Sequence, residues 1–137
     1  MAIVSRLISD VALAIVTIFQ EAEGESLDGK TAVAEVILRR TNDKYSSDGT
    51  IASTCLRPFQ FSGWSTGSTN RIRSVMIDDD NPVVKDCQTA WDRAVAGSNV
   101  SQGAVLYLNK TIVSTLPTWA NPDHYILSIG HHDFYSA

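Results

Sequence analysis

Three carboxylates, Glu21, Glu23 and Glu25, fall within five positions at the end of an almost wholly apolar run, VALAIVTIF. A helix C-terminus carries partial negative charge, so a carboxylate in the last turn is destabilised as an anion. Apolar neighbours such as Ile18 and Phe19 add desolvation. Both effects raise a carboxyl pKa, and a carboxyl that keeps its proton near neutral pH is a competent general acid. Lys or Arg is the ordinary choice for a last helical turn, and departures from such local rules tend to mark sites. The plain alternative is a set of solvated glutamates at a helix end. Glu23 points elsewhere on the helix and reads as merely exposed. Glu25 follows Gly24, so a helical facing with Glu21 cannot be assumed.

Other chemistry-bearing residues are scattered. Cys55 and Cys87 form no C-x-x-C pair, which speaks against a zinc site; two free buried thiols are favoured over one disulfide. His131 and His132 are adjacent, so in an extended strand they face opposite ways and only one can enter a cleft. The run Asp78-Asp79-Asp80 reads as a solvated loop or helix end. No metal site is expected, because the chain offers too few clustered ligands, and no cofactor motif is present.

These residues need elements to hold them. The chain has 137 residues, enough for one domain with one core, and an ordinary globular composition of 44% hydrophobic and 19% charged residues. Its net charge of −4 leaves no excess of Lys and Arg to neutralise phosphates, which argues against a nucleic-acid surface. Residues 5–23 read as a helix apolar on most of its circumference, hence a central one. Its apolar stretch is interrupted by Asp10 and is too short to span a bilayer, so a buried helix is preferred to a signal peptide and no stable membrane association is expected. Gly24 is the expected left-handed stop. A second helix follows, capped by Ser26 or Asp28, with Ala32, Val33, Val36 and Ile37 buried and the pair Glu35–Arg39 exposed. A short helix over 51–56 ends before Pro58, and FQFSGW at 59–64 fits neither helix nor strand. Asn81-Pro82 opens a further helix that Gly97 closes. Beyond it the pattern turns β-prone: AVLYL at 104–108, then YILSI at 125–129 and HDFYS at 132–136 around Gly130-His131, a small antiparallel hairpin. The fold class is α+β.

Set in order, several segments resemble one family. QEAEGESLDGKTAVAEVILRRTN resembles the opening motif of the spore cortex-lytic enzymes, cell wall hydrolases that also supply some bacteriophage endolysins. RPFQFSGW, CQTAWDRAVAG, GAVLYLNK, PTWANPD and IGHHDFY resemble its later segments in sequence, over nearly the whole chain. The resemblance implies a lysozyme-like domain, mostly helical around a central buried helix with a small C-terminal sheet. It implies a lytic transglycosylase acting on peptidoglycan glycan strands, with Glu21 as the acid and then the base of a single-carboxyl mechanism. Glu25 also matches; it would orient the sugar, tune Glu21 or serve structure. Glu23 stands where the family has Arg, Lys30 where it has Gln, Arg39 where it has Asn, Phe59 where it has Gly, and His131 where it has Asn. His132 matches.

Within that frame Gln60, Ser62 and Trp64 are candidates to line a sugar groove, since aromatics stack on sugar faces and polar groups bond hydroxyls. Alternatively their loop is pinned by the aromatics Phe59 and Phe61. Tyr107 belongs to cleft or core, Asn109 to cleft or turn, and His132 to the cleft face. Trp119 is expected to cap the core and Tyr135 to pack. A phage endolysin is the expected setting: a monomer held in the host cytoplasm, then released to the wall or periplasm through a separate holin-like pore. Competing readings are a hydrolytic muramidase using Asp28, Asp43 or Asp48 as second carboxylate, a non-catalytic wall binder or assembly protein, and a metal-dependent amidase short of ligands.

Overall fold

The structure, a computed structural model, describes residues 10–45, 47–57, 61–64 and 80–137. Helix α1 runs Asp10–Ala22 and buries Leu13, Ala14, Thr17, Ile18, Phe19, Gln20 and Ala22. That spread covers well over one stripe, and α1 packs against three other helices, as its apolar circumference requires. Val11, expected on the buried face, is exposed in the first turn. The helix ends at Ala22, before Glu23, and Gly24 is not left-handed. The chain instead turns through a bond from the Glu25 N–H to the Ala22 carbonyl.

Helix α2, Leu27–Asn42, is capped by Ser26, whose hydroxyl accepts from the Gly29 N–H at 3.1 Å. It packs on α1, on the short helix α3 (Ile51–Cys55) and on α4 (Pro82–Val95). Asn81 caps α4 and Pro82 fills its first turn, where a missing N–H costs nothing. Gly97, with φ of +101°, closes α4; bonds from Gly97 N–H to Ala94 and from Ser98 N–H to Arg93 satisfy its last carbonyls. Asp80 is exposed just ahead of this cap, while Asp78 and Asp79 lie outside the described residues.

Strands β1 (Leu106–Asn109), β2 (Tyr125–Ile129) and β3 (His132–Tyr135) form an antiparallel sheet in the order β1-β3-β2. The expected hairpin is β2–β3, and Gly130 at φ +56° makes its turn. β1 begins two residues later than the sequence pattern suggested and pairs with β3, which is therefore central. Period-two alternation divides β1 between two clusters. Leu106 and Leu108 join Ala120 and Tyr135 in a small cluster with Trp119, whose ring lies edge-on to Tyr135 at 5.4 Å. Tyr107 faces the other way, onto the main core around Ile18, Val33, Ile37 and Phe134. Trp119 and Tyr135 thus pack as expected. Cys55 and Cys87 are separate buried thiols, and burial pushes them up to about 11 and about 12, which leaves them inert as nucleophiles. Among the described residues no helix is long and apolar enough to cross a membrane.

Candidate active site

Glu21 stands in the last turn of α1, where the helix reaches the sheet. Its carboxylate accepts a 2.5 Å hydrogen bond from the Tyr107 hydroxyl of β1. Both residues line a cleft of about 350 Å³ together with Gln20, Leu108, Asn109, Ile112, Val113 and His132. The helix end thus forms one wall, and the end of β1 with the following turn forms the other. Burial raises the Glu21 pKa above the usual carboxylate value; the Tyr107 bond and the nearby Arg40 charge oppose the rise without cancelling it. Tyr107 is in turn pushed well up, by burial and by the carboxylate it serves. The pair is a protonatable acid with a fixed donor on one oxygen, open to a cleft that can admit a substrate. That is the arrangement of a general acid.

His132, at the head of β3, is 2% exposed. Its ring meets Tyr107 edge-on at 5.0 Å and 69°. Burial lowers its pKa, against the pull of Glu25, so it stands as a neutral imidazole. Its neighbour His131 lies in the turn and not in the strand, so the expected alternation does not apply: its ring is 60% exposed and does not line the cleft, yet it meets the same Glu25 carboxylate that His132 faces.

Glu25 does not line the cleft. Its carboxylate accepts the His131 backbone N–H at 2.9 Å and meets His131 Nδ1 at 2.7 Å. Burial would raise its pKa, but the side-chain and backbone hydrogen bonds from His131 lead the opposing effects, and together these carry it below the usual value. The Lys30 ammonium donates to the Glu25 carbonyl. Glu25 therefore holds the β2–β3 turn, which favours the structural alternative over a sugar contact.

Other sequence candidates separate. Asn109 lines the cleft, yet its side-chain oxygen is taken by Thr111 N–H at 2.9 Å and Thr111 Oγ1, so it also forms the turn. Trp64 does not line the cleft; it lies in a 3₁₀ turn, packs on the main core, and its indole N–H donates to Thr17 Oγ1 at 2.9 Å. A half-buried indole needs a partner for its N–H, and Thr17 on α1 supplies it. Gln60 and the Ser62 side chain lie outside the described residues. Asp28, Asp43 and Asp48 are all away from the cleft lining. Asp28 is exposed beside Arg93 at 3.7 Å, Asp43 caps α2, and Asp48 accepts from Thr50 and Ser53 at the start of α3. Among the described residues no group of His, Cys, Asp and Glu could hold a metal ion.

Two positions escaped the sequence reading. Arg40 is 6% exposed, donates from Nε to the Val105 carbonyl at 2.7 Å, and lies over the rings of Tyr45 and Phe61 at 5.5 and 5.3 Å. It is the cation nearest in effect to Glu21 and Tyr107. Glu35, read as one half of an exposed pair with Arg39, is 2% exposed. The loop after α4 folds over it, and Ser98, Val100 and Ser101 donate to it. An i,i+4 charge pair carries no local sign that a distant loop will cover it.

Comparison with known proteins agrees with this architecture. The structure superposes on the catalytic domain of the germination-specific lytic transglycosylase SleB from Bacillus anthracis with a TM-score of 0.70, at 24% identity and 93% coverage of both chains. The SleB catalytic domain from Bacillus cereus gives 0.72 at 24% identity, covering 93% of this chain and 89% of that one. Likeness at this identity establishes the fold, the α+β architecture of helices and a small antiparallel sheet expected from the sequence. A spore cortex-lytic enzyme of Oceanobacillus iheyensis is 29% identical over 126 residues, 92% of this chain and 41% of that protein. The chain thus spans about two fifths of the length of that relative. The cell wall hydrolase family model matches residues 24–135, a span that begins three positions after Glu21, so the case for Glu21 rests on its geometry. With most of its length inside that match, the chain belongs to the cell wall hydrolase family.

Proposed function

We propose that this chain cleaves peptidoglycan glycan strands at the β-1,4 bond between N-acetylmuramic acid and N-acetylglucosamine, as a lytic transglycosylase with Glu21 as its acid and base. The observation that carries the reading is a single carboxyl in the cleft: among the described lining residues Glu21 alone is acidic. A hydrolase of the two-carboxylate kind needs a second acid to activate water or form a covalent intermediate. In a transglycosylase the attacking group belongs to the substrate. Glu21, protonated, gives its proton to the glycosidic oxygen as the bond to C1 breaks. The carboxylate then takes the proton of the muramic acid 6-hydroxyl as that oxygen closes onto C1. The products are a free N-acetylglucosamine 4-hydroxyl and a 1,6-anhydro end; no water is consumed and Glu21 ends protonated. Its raised pKa keeps the proton on Glu21 at the start of this cycle, and the Tyr107 bond steadies the carboxylate that exists between the two proton transfers.

Mass spectrometry of fragments released from purified peptidoglycan tests this directly. Anhydro-muramic ends are expected. Reducing ends, heavier by one water, would overturn the transglycosylase assignment, and the absence of fragments would move the protein to a binding or assembly role.

The biological setting we propose is that of an endolysin, kept in the host cytoplasm as a monomer and reaching the wall through a holin-like pore. It rests on the family resemblance, which includes bacteriophage enzymes. Induced expression with and without a co-expressed pore, followed by culture turbidity, is the check: lysis is expected only with the pore.

A further inference from the structure

The end of the acid-bearing helix and the β2–β3 turn are joined by one carboxylate. Glu25 is fixed on its own side by its N–H bond to Ala22 and by Lys30 on its carbonyl. Its side chain, 7% exposed, meets His131 through two contacts, at 2.9 and 2.7 Å, and faces His132 Nδ1 at 3.8 Å. The turn is seated directly on it: a Cβ added at Gly130 would collide with the Glu25 carboxylate. The same turn is tied to the end of β1, because Lys110 N–H donates to the His131 carbonyl at 3.0 Å. The next residue, His132, is the ring that abuts Tyr107, and Tyr107 is the donor to Glu21. His132 Nδ1 is buried without a hydrogen-bond partner, so no hydrogen bond from that atom fixes its ring. Packing and the position of its backbone must do so.

The contacts form a closed circuit: Glu21, Ala22 and Glu25 along the chain, then His131, His132, Tyr107 and back to Glu21. We propose that Glu25 and His131 are a positioning pair, which sets the place of His132 and through it the hydroxyl of Tyr107 against the Glu21 carboxyl. The inference rests on the reading of Glu21 as the working acid. It assigns a role to His131, which stands where the family has Asn, and it places Glu25 outside direct sugar contact. If the clamp loosens, the Tyr107–Glu21 bond lengthens, the carboxylate loses its donor, and Glu21 holds its proton to higher pH. The other charges facing this circuit are Arg40 beside Glu21 and Tyr107, Lys30 on Glu25, and Asp133 beside His132.

The test is the titration of Glu21, followed by carbon NMR of labelled glutamate in the full chain, for the parent and for His131→Ala, Glu25→Gln and His131→Asn. His131 is 60% exposed, so its truncation leaves the core untouched, and a melting curve verifies this. Should Glu25→Gln fail to fold, His131→Ala carries the test. An upward shift of the Glu21 midpoint is expected in His131→Ala and Glu25→Gln. Restoration is expected in His131→Asn, whose amide can donate to Glu25 while the backbone bond persists. On peptidoglycan, kcat should fall about tenfold in His131→Ala with KM unchanged, within the range that misplacement of a reacting group costs. An identical Glu21 midpoint in parent and His131→Ala would overturn the proposal. So would a rise in KM at constant kcat, which marks direct substrate contact. A parent that releases no fragments, yet shows the NMR shift, would sink the transglycosylase reading and leave the positioning pair standing.

Discussion

Glu35 and Glu21 occupy neighbouring helices, each withdrawn from solvent and each beside an arginine, and they end in opposite states. Glu35 on α2 accepts from Ser98 Oγ at 2.6 Å, Val100 N–H at 2.9 Å, Ser101 N–H at 2.9 Å and Ser101 Oγ at 2.5 Å, with Arg39 at 3.6 Å. Burial alone would raise its pKa, but these donors outweigh it and hold it below the usual carboxylate value. Glu21 on α1 has one donor, Tyr107, and burial prevails. A carboxylate with every lone pair engaged is a fixed anion and a structural rivet. One with a single donor and an open side toward a cleft can exchange its proton. The difference lies in the number of donors aimed at each group, since desolvation acts on both.

The comparison can be broken most sharply at Glu21 itself. Glu21→Gln keeps the shape and removes the proton, and fragment release should fall by about 10³-fold, within the span for loss of a general acid–base group. Cell walls cleared as fast as by the parent would end the assignment. Glu35→Ala should cost about 3 kcal/mol of stability in urea denaturation, because it leaves four donors without their acceptor. A midpoint unchanged from the parent would mean that the loop reorganises freely. Tyr107→Phe removes the donor that opposes the rise in the Glu21 pKa. The alkaline limb of the pH–rate profile should move to higher pH, with kcat lower by about tenfold or less. A limb moving to lower pH would contradict the bond seen here.

The smallest effects concern stability and have opposite signs. Glu21 has a raised folded pKa, so its ionisation works against folding, and the cost appears as pH rises above the unfolded value of about 4.3. Glu21→Gln should therefore melt higher than the parent at pH 7 and no higher near pH 3. Glu25 and Glu35 have depressed folded values, so they contribute stability above that same pH, and it is lost as pH falls through their folded pKa values. Glu35→Gln should flatten the acid side of the stability profile, and an unaltered acid limb would show that Glu35 is not held as an anion.

The secondary structure was legible because its signals are local. The Asn81-Pro82 opening and Gly97 closure of α4 depend on backbone groups a few residues apart, and the YILSI-Gly130-His131-HDFY hairpin depends on one turn and two alternating strands. Glu21 was legible for a similar reason: an acid in the last turn of an apolar helix opposes both dipole and burial wherever that helix packs. Trp64, Glu35 and Arg40 were misread or missed because each takes its partner from far along the chain. Thr17 lies 47 residues from Trp64, Ser101 lies 66 from Glu35, and Val105 lies 65 from Arg40.

The sequence by itself settled the elements, the central place of α1 and the unusual acid at its end, since propensity, capping and hydrophobic period act within a few residues. Which acid is neutralised by donors and which is left poised was decided only when the 98–104 loop closed over α2 and β1 swung Tyr107 against α1. The physical reason is that a carboxylate's proton affinity depends on groups within a few ångströms, and here those groups come from segments more than sixty residues away in the chain.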